Sequence, residues 1–138
     1  MKLWMWWILV VVAVSGPWYG IVREPQWARV TWVPFHGFED KPRDVAANFL
    51  LFVPFGWSFA MARPRAPRTV VAAITWSAAV SLAVEIPQLF YRLRDPSATD
   101  VFMAMCGSGA ASLAFEAFHR GDARGTTSRR EAREAGGQ

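Results

Sequence analysis

Apolar residues in this chain are gathered into four long blocks separated by short polar segments. The blocks cover residues 3–22, 45–62, 70–91 and 101–118. A helix of about 20 mainly apolar residues is long enough to cross the hydrocarbon core of a bilayer. The pattern therefore predicts an all-α membrane protein, in which residues 1–119 form one bundle of four transmembrane helices.

The first block has a second interpretation. Lys2, the apolar run after it and the small residues Ala13-Val14-Ser15 resemble a signal peptide with its cleavage site. Apolar residues resume beyond Gly16 and Pro17, however, and extend the block to spanning length. We therefore interpret it as the first transmembrane helix, with cleavage as the alternative.

The segments between the blocks differ in character. Residues 23–44 carry four Lys/Arg, four Asp/Glu, several helix-breaking residues and aromatic rings, which is typical of a loop at the headgroup layer. Residues 63–68 hold three arginines and predict a short turn at the membrane interface. Residues 120–138 are charged, rich in glycine and without apolar periodicity, so the sequence predicts a disordered cytoplasmic tail.

Lys and Arg residues in alternate gaps predict the orientation, because cytoplasmic segments carry an excess of them. With the N-terminus inside, nine fall on the inner side and six on the outer side. Five acidic residues offset the outer six. The count predicts a multi-pass protein with both termini in the cytoplasm.

Composition supports a lipid environment. Of 138 residues, 53% are hydrophobic, and eight Trp with ten Phe would overfill the interior of a soluble domain of this length. The net charge of +4 is compatible with nucleic-acid binding, but the arginines lie in the gaps between apolar blocks. We expect the lipid bilayer as the surrounding medium and no nucleic-acid partner. Cys106 is the only cysteine, which rules out an intrachain disulfide.

Polar residues near the block ends are the candidates for function, because an ionisable group at membrane depth costs about 2.5–3.5 kcal/mol. Glu85 and Gln88 share one helix face by their spacing, and four helices of alternating direction place all the candidates on the outer side. Arg94 is the expected counter-ion of Glu85 or Asp100. The candidate ligand-binding set is Asn48, Glu85, Gln88, Arg94 and Asp100.

Other positions point to helix packing. Pro54 and Pro87 each free a backbone carbonyl inside a predicted helix, which adds acceptors to the outer half of the bundle. The fourth block repeats small residues, including Gly107 and Ala111, so we expect it to pack centrally.

Two motifs built on these positions resemble the VanZ-like family, membrane proteins of the teicoplanin-resistance type. The first covers residues 44–56 and contains Asp44, Asn48, Phe52, Pro54 and Gly56. The second contains Glu85, Gln88, Phe90, Arg94, Asp100 and Gly107. One position departs from the family pattern, since Ala104 stands where the family usually has Asn.

The resemblance implies a bacterial plasma-membrane protein of about four helices, some of whose relatives are linked to glycopeptide resistance at the cell envelope. It implies no settled reaction. We assign structural roles to Asp44, Pro54, Gly56, Pro87 and Gly107, and we expect neither a metal nor another cofactor, because His36 and His119 have no ligand partners at suitable spacing.

Three functions follow from these features. The first is a non-enzymatic protein whose outer cluster binds a lipid-linked precursor or an amphiphilic antibiotic. The second is a membrane enzyme acting on a lipid-linked substrate with Glu85 or Asp100 as general base. The third is an assembly factor that docks a larger membrane protein through Gly107 and Ala111. A purely structural alternative is that the polar residues only join the helices.

Overall fold

The computed structural model of the chain is all-helical, which confirms the predicted class. It describes residues 2–15, 20–36, 42–63, 68–92 and 95–135, with side chains up to residue 119. The four α-helices in these ranges are α1 (Leu3–Val14), α2 (Pro42–Ala62), α3 (Thr69–Gln88) and α4 (Ala98–Ala135). Three segments are long and apolar enough to cross a membrane: Pro42–Ala62, Thr69–Gln88 and Ala98–His119.

α1 is shorter than the predicted first span. The apolar pattern favours a helix over residues 3–22, but α1 ends at Val14, and Gly20 to Val22 are not helical. Its 12 residues extend about 18 Å, against a hydrocarbon core of about 30 Å. Pro17 has no amide hydrogen and disfavours continuation of the helix. Among the described helices, three rather than four therefore have the length of a transmembrane span.

The last helix also departs from its predicted end. α4 continues to Ala135, so the described backbone is helical over most of the range in which the sequence predicts a disordered tail. Its apolar part ends at His119. Beyond that point Ala, Arg and Glu are frequent, and these residues have high intrinsic helix propensity.

α4 is the central helix and packs against both α2 and α3. Its buried face is made of small residues, including Ala104, Ser108 and Ser112. Ser108 donates its hydroxyl to Ser77 Oγ of α3 at 2.8 Å, and Ser112 donates to the Gly56 carbonyl of α2 at 3.0 Å. Because these side chains are small, the backbones of α2, α3 and α4 approach closely. The serine hydroxyls of α4 find their acceptors on the neighbouring helices.

α1 docks onto α2 through its tryptophans. Trp7 Nε1 donates to the Leu51 carbonyl at 2.6 Å. The Trp4 ring lies 5.5 Å from the Phe59 ring and 6.2 Å from the Trp76 ring, so it also touches α3. These contacts hold α1 against the bundle although it is short.

One end of the bundle is covered by two connections that bond to each other. Residues 20–36, the described part of the chain between α1 and α2 beyond Ser15, contain the short 3₁₀ turn Trp27–Arg29. Their backbone pairs with the α3–α4 connection: Thr31 N–H donates to the Pro96 carbonyl at 3.0 Å, and Ala98 N–H donates to the Thr31 carbonyl at 2.9 Å. Arg29 adds an ion pair from Nε to Asp95 Oδ1 at 2.5 Å. We call these two connections the cap. The end of the bundle that the cap covers is called the cluster end.

Candidate functional site

A cavity of about 550 Å³ lies at the cluster end, between α1, α2, α3 and the first turn of α4. Four of the five residues that the sequence singles out line it: Asn48, Glu85, Gln88 and Asp100. Arg94, the fifth, lies outside the residues that the structure describes. The structure therefore brings together side chains that are separated by up to 52 positions in the sequence.

Helix direction explains why these residues meet. α3 ends at the cluster end, whereas α2 and α4 begin there. Asp100 is in the first turn of α4, Glu85 and Gln88 are in the last turn of α3, and Asn48 is six residues, or about 9 Å, from the start of α2. The four side chains thus reach the same end of the bundle from three helices.

Asn48 and Asp100 join α2 to α4 directly. The Asn48 amide donates from Nδ2 to Asp100 Oδ1, and both side chains are half-buried. An ionised carboxylate only accepts hydrogen bonds, so an amide donor is a suitable partner for it. The second oxygen of Asp100 and the amide oxygen of Asn48 add acceptors to the same region.

Glu85 is the most deeply buried acidic residue of the cavity, with 9% of its surface exposed. Its Oε2 accepts the backbone N–H of Ser97 at 3.1 Å. Ser97 stands immediately before α4, so the carboxylate of α3 is bonded to the backbone that begins the next helix. The predicted pairing of Glu85 or Asp100 with Arg94 concerns a residue outside the described range.

Gln88 bridges α3 and α1. Its Nε2 donates to the Ser15 carbonyl at 3.4 Å, just after the last residue of α1. This distance is long for a hydrogen bond, so the contact is weak. The amide is therefore held loosely at the edge of the cavity.

Several lining residues are absent from the sequence-based set. They include Trp7, Ser15, Arg43 and Ser81. Ser81 had a detectable signal, because it precedes Glu85 by four residues and so shares its helix face. Arg43 adjoins the motif residue Asp44, which also lines the cavity. Nothing local to Trp7 or Ser15 indicates that α1 forms a wall.

The cavity becomes less polar away from the cluster end. On α2 its lining changes from Arg43 and Asp44 to Phe52, and on α1 it changes from Ser15 to Trp7. The cavity therefore combines a hydrogen-bonding end with an apolar end.

Pro54 and Gly56 occupy the stretch of α2 that other helices contact. Pro54 cannot bond the Leu50 carbonyl, and the neighbouring Leu51 carbonyl accepts the Trp7 indole. A Cβ on Gly56 would meet the backbone of Ser108, and one on Gly107 would meet the backbone of Phe49. Pro87 lies in the last turn of α3.

Ala104, the position that departs from the family pattern, is fully buried in the apolar core with Phe52 and Val80. An Asn amide there would need a hydrogen-bond partner. With Ala at this position, the amide donors among the described lining residues are those of Asn48 and Gln88.

No group of three His, Cys, Asp or Glu side chains suited to a metal ion occurs in the described part of the chain. His119 stacks on Phe115 with ring centres 4.1 Å apart. It lies 19 residues, or about 28 Å, along α4 from Asp100. The imidazole is therefore too distant to act with that carboxylate.

A family model described as VanZ/LLP1 matches residues 2–119. The chain belongs to the VanZ/LLP1 family. This confirms the resemblance drawn from the two motifs, and with three helices long enough to cross a bilayer it makes the chain a VanZ-like membrane protein. No curated protein and no solved structure matches the chain. The VanZ/LLP1 match contains the whole cavity and ends where the apolar part of α4 ends.

Proposed function

We propose that this VanZ/LLP1 protein binds the polar headgroup of an amphiphile at the outer leaflet of a bacterial plasma membrane. The observation that carries the proposal is a cavity at the cluster end on which Asn48, Glu85, Gln88 and Asp100 converge from three helices. Its volume of about 550 Å³ is within the usual range of about 300–1,000 Å³ for ligand sites.

The lining chemistry suits a headgroup with many hydrogen-bonding groups. The amides of Asn48 and Gln88 both donate and accept, and the carboxylates of Glu85 and Asp100 accept. Arg43 supplies a guanidinium group at the polar end. In the proposal Arg94 is a second guanidinium that meets a phosphate or carboxylate of the ligand.

A binding site explains the cavity better than helix joining alone. Interhelical hydrogen bonds contribute about 0.6–2 kcal/mol each and need no open volume around them. Here the polar groups surround a space into which a headgroup fits. A lipid-linked wall precursor or an amphiphilic glycopeptide such as teicoplanin has the required combination of a polar head and an apolar anchor.

The assembly-factor hypothesis is less favoured by the packing. The small-residue face that would dock a partner includes Gly107 and Ala111, and both are buried. α2 and α3 already occupy the buried side of α4. A partner could use that face only if the bundle came apart.

The test is binding of teicoplanin and of an undecaprenyl-pyrophosphate-linked wall precursor to the purified protein in nanodiscs. Asn48→Ala and Asp100→Asn are expected to weaken binding of one probe at least about tenfold, or 1.4 kcal/mol. Glu116→Gln is the matched control, because it neutralises a carboxylate of α4 about 24 Å from Asp100. Folded cluster variants that bind both probes as the wild type does would refute the proposal.

The same assay separates the enzyme hypothesis. Glu85→Gln keeps the size of the side chain but removes a possible general base. A binding protein loses affinity in this variant. An enzyme instead keeps its ligand and loses turnover of the precursor, which mass spectrometry of the lipid detects.

A further inference from the structure

The exposed residues that line the cavity all lie on α1 and α2. Its α3 residues, including Ser81 and Glu85, are buried or half-buried. On the opposite walls, Val14 of α1 is 60% exposed and Leu50 of α2 is 63% exposed. Ala47, one turn before Leu50, is exposed as well. The cavity therefore opens between α1 and α2, and we call the gap bordered by Val14, Ala47 and Leu50 the lateral opening.

The lateral opening extends to hydrocarbon depth. α2 has 21 residues and a length of about 31 Å, which matches the hydrocarbon core. Leu50 is eight residues, or about 12 Å, from the start of α2 and six residues beyond Asp44, the last charged residue of the helix, so in a bilayer that α2 crosses it lies at hydrocarbon depth. An opening at this depth is reached from the lipid and not from water, so it does not serve a water-soluble ligand.

Farther from the cluster end than Leu50, contacts between α1 and α2 close the gap. Trp7 Nε1 bonds the Leu51 carbonyl at 2.6 Å, and the Trp4 ring packs on Phe55 and Phe59. The opening thus runs from the polar end of the cavity down to the level of Leu50 and stops there. Its border residues Val14, Ala47 and Leu50 are all apolar.

From this geometry we infer that the ligand is a membrane lipid whose headgroup enters sideways through the lateral opening while its hydrocarbon chain stays in the bilayer beside α1 and α2. The inference rests on the proposed function and narrows it to ligands anchored in the membrane. Transfer of the hydrocarbon chain from lipid into water is unfavourable, and sideways entry avoids that transfer.

The test places bulk in the lateral opening. Leu50→Trp narrows it, and Met61→Trp is the matched control, because Met61 is also an exposed apolar residue of α2 but lies outside the cavity. Each protein is reconstituted in vesicles of phosphatidylethanolamine, phosphatidylglycerol and undecaprenyl phosphate in equal amounts. It is then extracted in mild detergent, and the lipids it retains are identified and counted by native mass spectrometry.

The wild type and Met61→Trp are expected to retain one lipid species, and Leu50→Trp is expected to retain at least about tenfold less of it, which corresponds to 1.4 kcal/mol. Ala47→Leu is a second narrowing variant in case Leu50→Trp does not fold. The deacylated headgroups, glycerophosphoethanolamine and glycerophosphoglycerol, and inorganic phosphate are tested in parallel and are expected to bind weakly.

Three results would overturn the inference, and they separate its failure from failure of the proposed function. In the first, the wild type and both narrowed variants retain equal amounts of lipid, whereas Asn48→Ala loses it. This result would rule out entry through the lateral opening but would still support the headgroup site. The same holds if a deacylated headgroup or phosphate binds as tightly as its lipid. If the wild type retains no lipid, the inference is wrong. If, in addition, the cluster variants bind teicoplanin and the wall precursor as the wild type does, the proposed function is wrong too.

Discussion

Gly56 of α2 lies against the backbone of Ser108 on α4, so closely that a Cβ at position 56 would stand 2.6 Å from Ser108 Cα. Ser112, one turn along α4, donates its hydroxyl to the Gly56 carbonyl at 3.0 Å. At the neighbouring crossing point, Gly107 of α4 meets the backbone of Phe49. Close backbone contact thus joins α2 to α4 at these two points.

Gly56→Ala is expected to destabilise the protein by about 1–3 kcal/mol, because the added methyl group overpacks a backbone that cannot move independently. Denaturant or thermal unfolding in detergent measures the change. Gly109→Ala is the control, since its Cβ would meet only the flexible end of Ile74, at 3.1 Å. Equal effects of the two substitutions would show that α2 and α4 are not in backbone contact at Gly56.

Trp7→Phe removes the indole N–H that bonds the Leu51 carbonyl while it keeps an aromatic ring on α1. We expect a loss of about 0.5–1.5 kcal/mol in unfolding free energy, the usual net value of one hydrogen bond. Trp6→Phe makes the same chemical change at an exposed position and should have almost no effect. If both variants unfold like the wild type, the indole bond does not hold α1 in place.

Asn48 and Asp100 are expected to be energetically coupled, because they bond each other across α2 and α4. A double-mutant cycle of Asn48→Ala and Asp100→Ala should give a coupling of about 0.6–1.7 kcal/mol in unfolding free energy. Additive effects of the two substitutions would contradict direct contact. Ser81→Ala with Asp100→Ala serves as the reference pair within the same cavity.

Arg29→Ala should loosen the cap without unfolding the bundle. Arg29 and Asp95 are about one-third exposed, so solvent screening limits their pairing to about 1 kcal/mol or less. Locally, faster hydrogen exchange is expected at the amides of Thr31 and Ala98, which bond across the cap. Arg23→Ala controls for the loss of a surface charge and should leave both amides protected.

The cluster end is expected to face the cell exterior. In a Cys106→Ala background, Glu24→Cys places a thiol on the exposed part of the cap, and Ser128→Cys places one beyond the apolar part of α4. An impermeant thiol reagent applied to intact cells should label position 24 and leave position 128 unlabelled. Labelling of position 128 alone would place the cavity at the cytoplasmic face and rule out an outer-leaflet ligand.

The pattern of apolar residues along the chain is sufficient to predict much of the fold. The apolar block at residues 45–62 overlaps α2 (Pro42–Ala62) closely, and the block at residues 70–91 overlaps α3, because a helix reveals itself by length and uninterrupted apolarity. The end of α1 within the first block is harder to predict. Gly16 and Pro17 interrupt it, but the apolar residues on both sides of them give the pattern of one continuous span.

For the cavity, residue spacing is enough to predict which polar side chains share a helix face, and helix direction is enough to predict which helix ends lie together. Spacing places Glu85 beside Gln88, and helix direction places Asn48 and Asp100 at the same end. The packing of the helices, which spacing does not predict, makes α1 a wall of the cavity, brings Arg43 and Ser15 into its lining and bonds Glu85 to Ser97 N–H. The reason is physical: periodicity and length are local properties of the chain, whereas the partners of a side chain depend on how packed helices cross, and here that crossing is set by contacts such as Gly56 with Ser108.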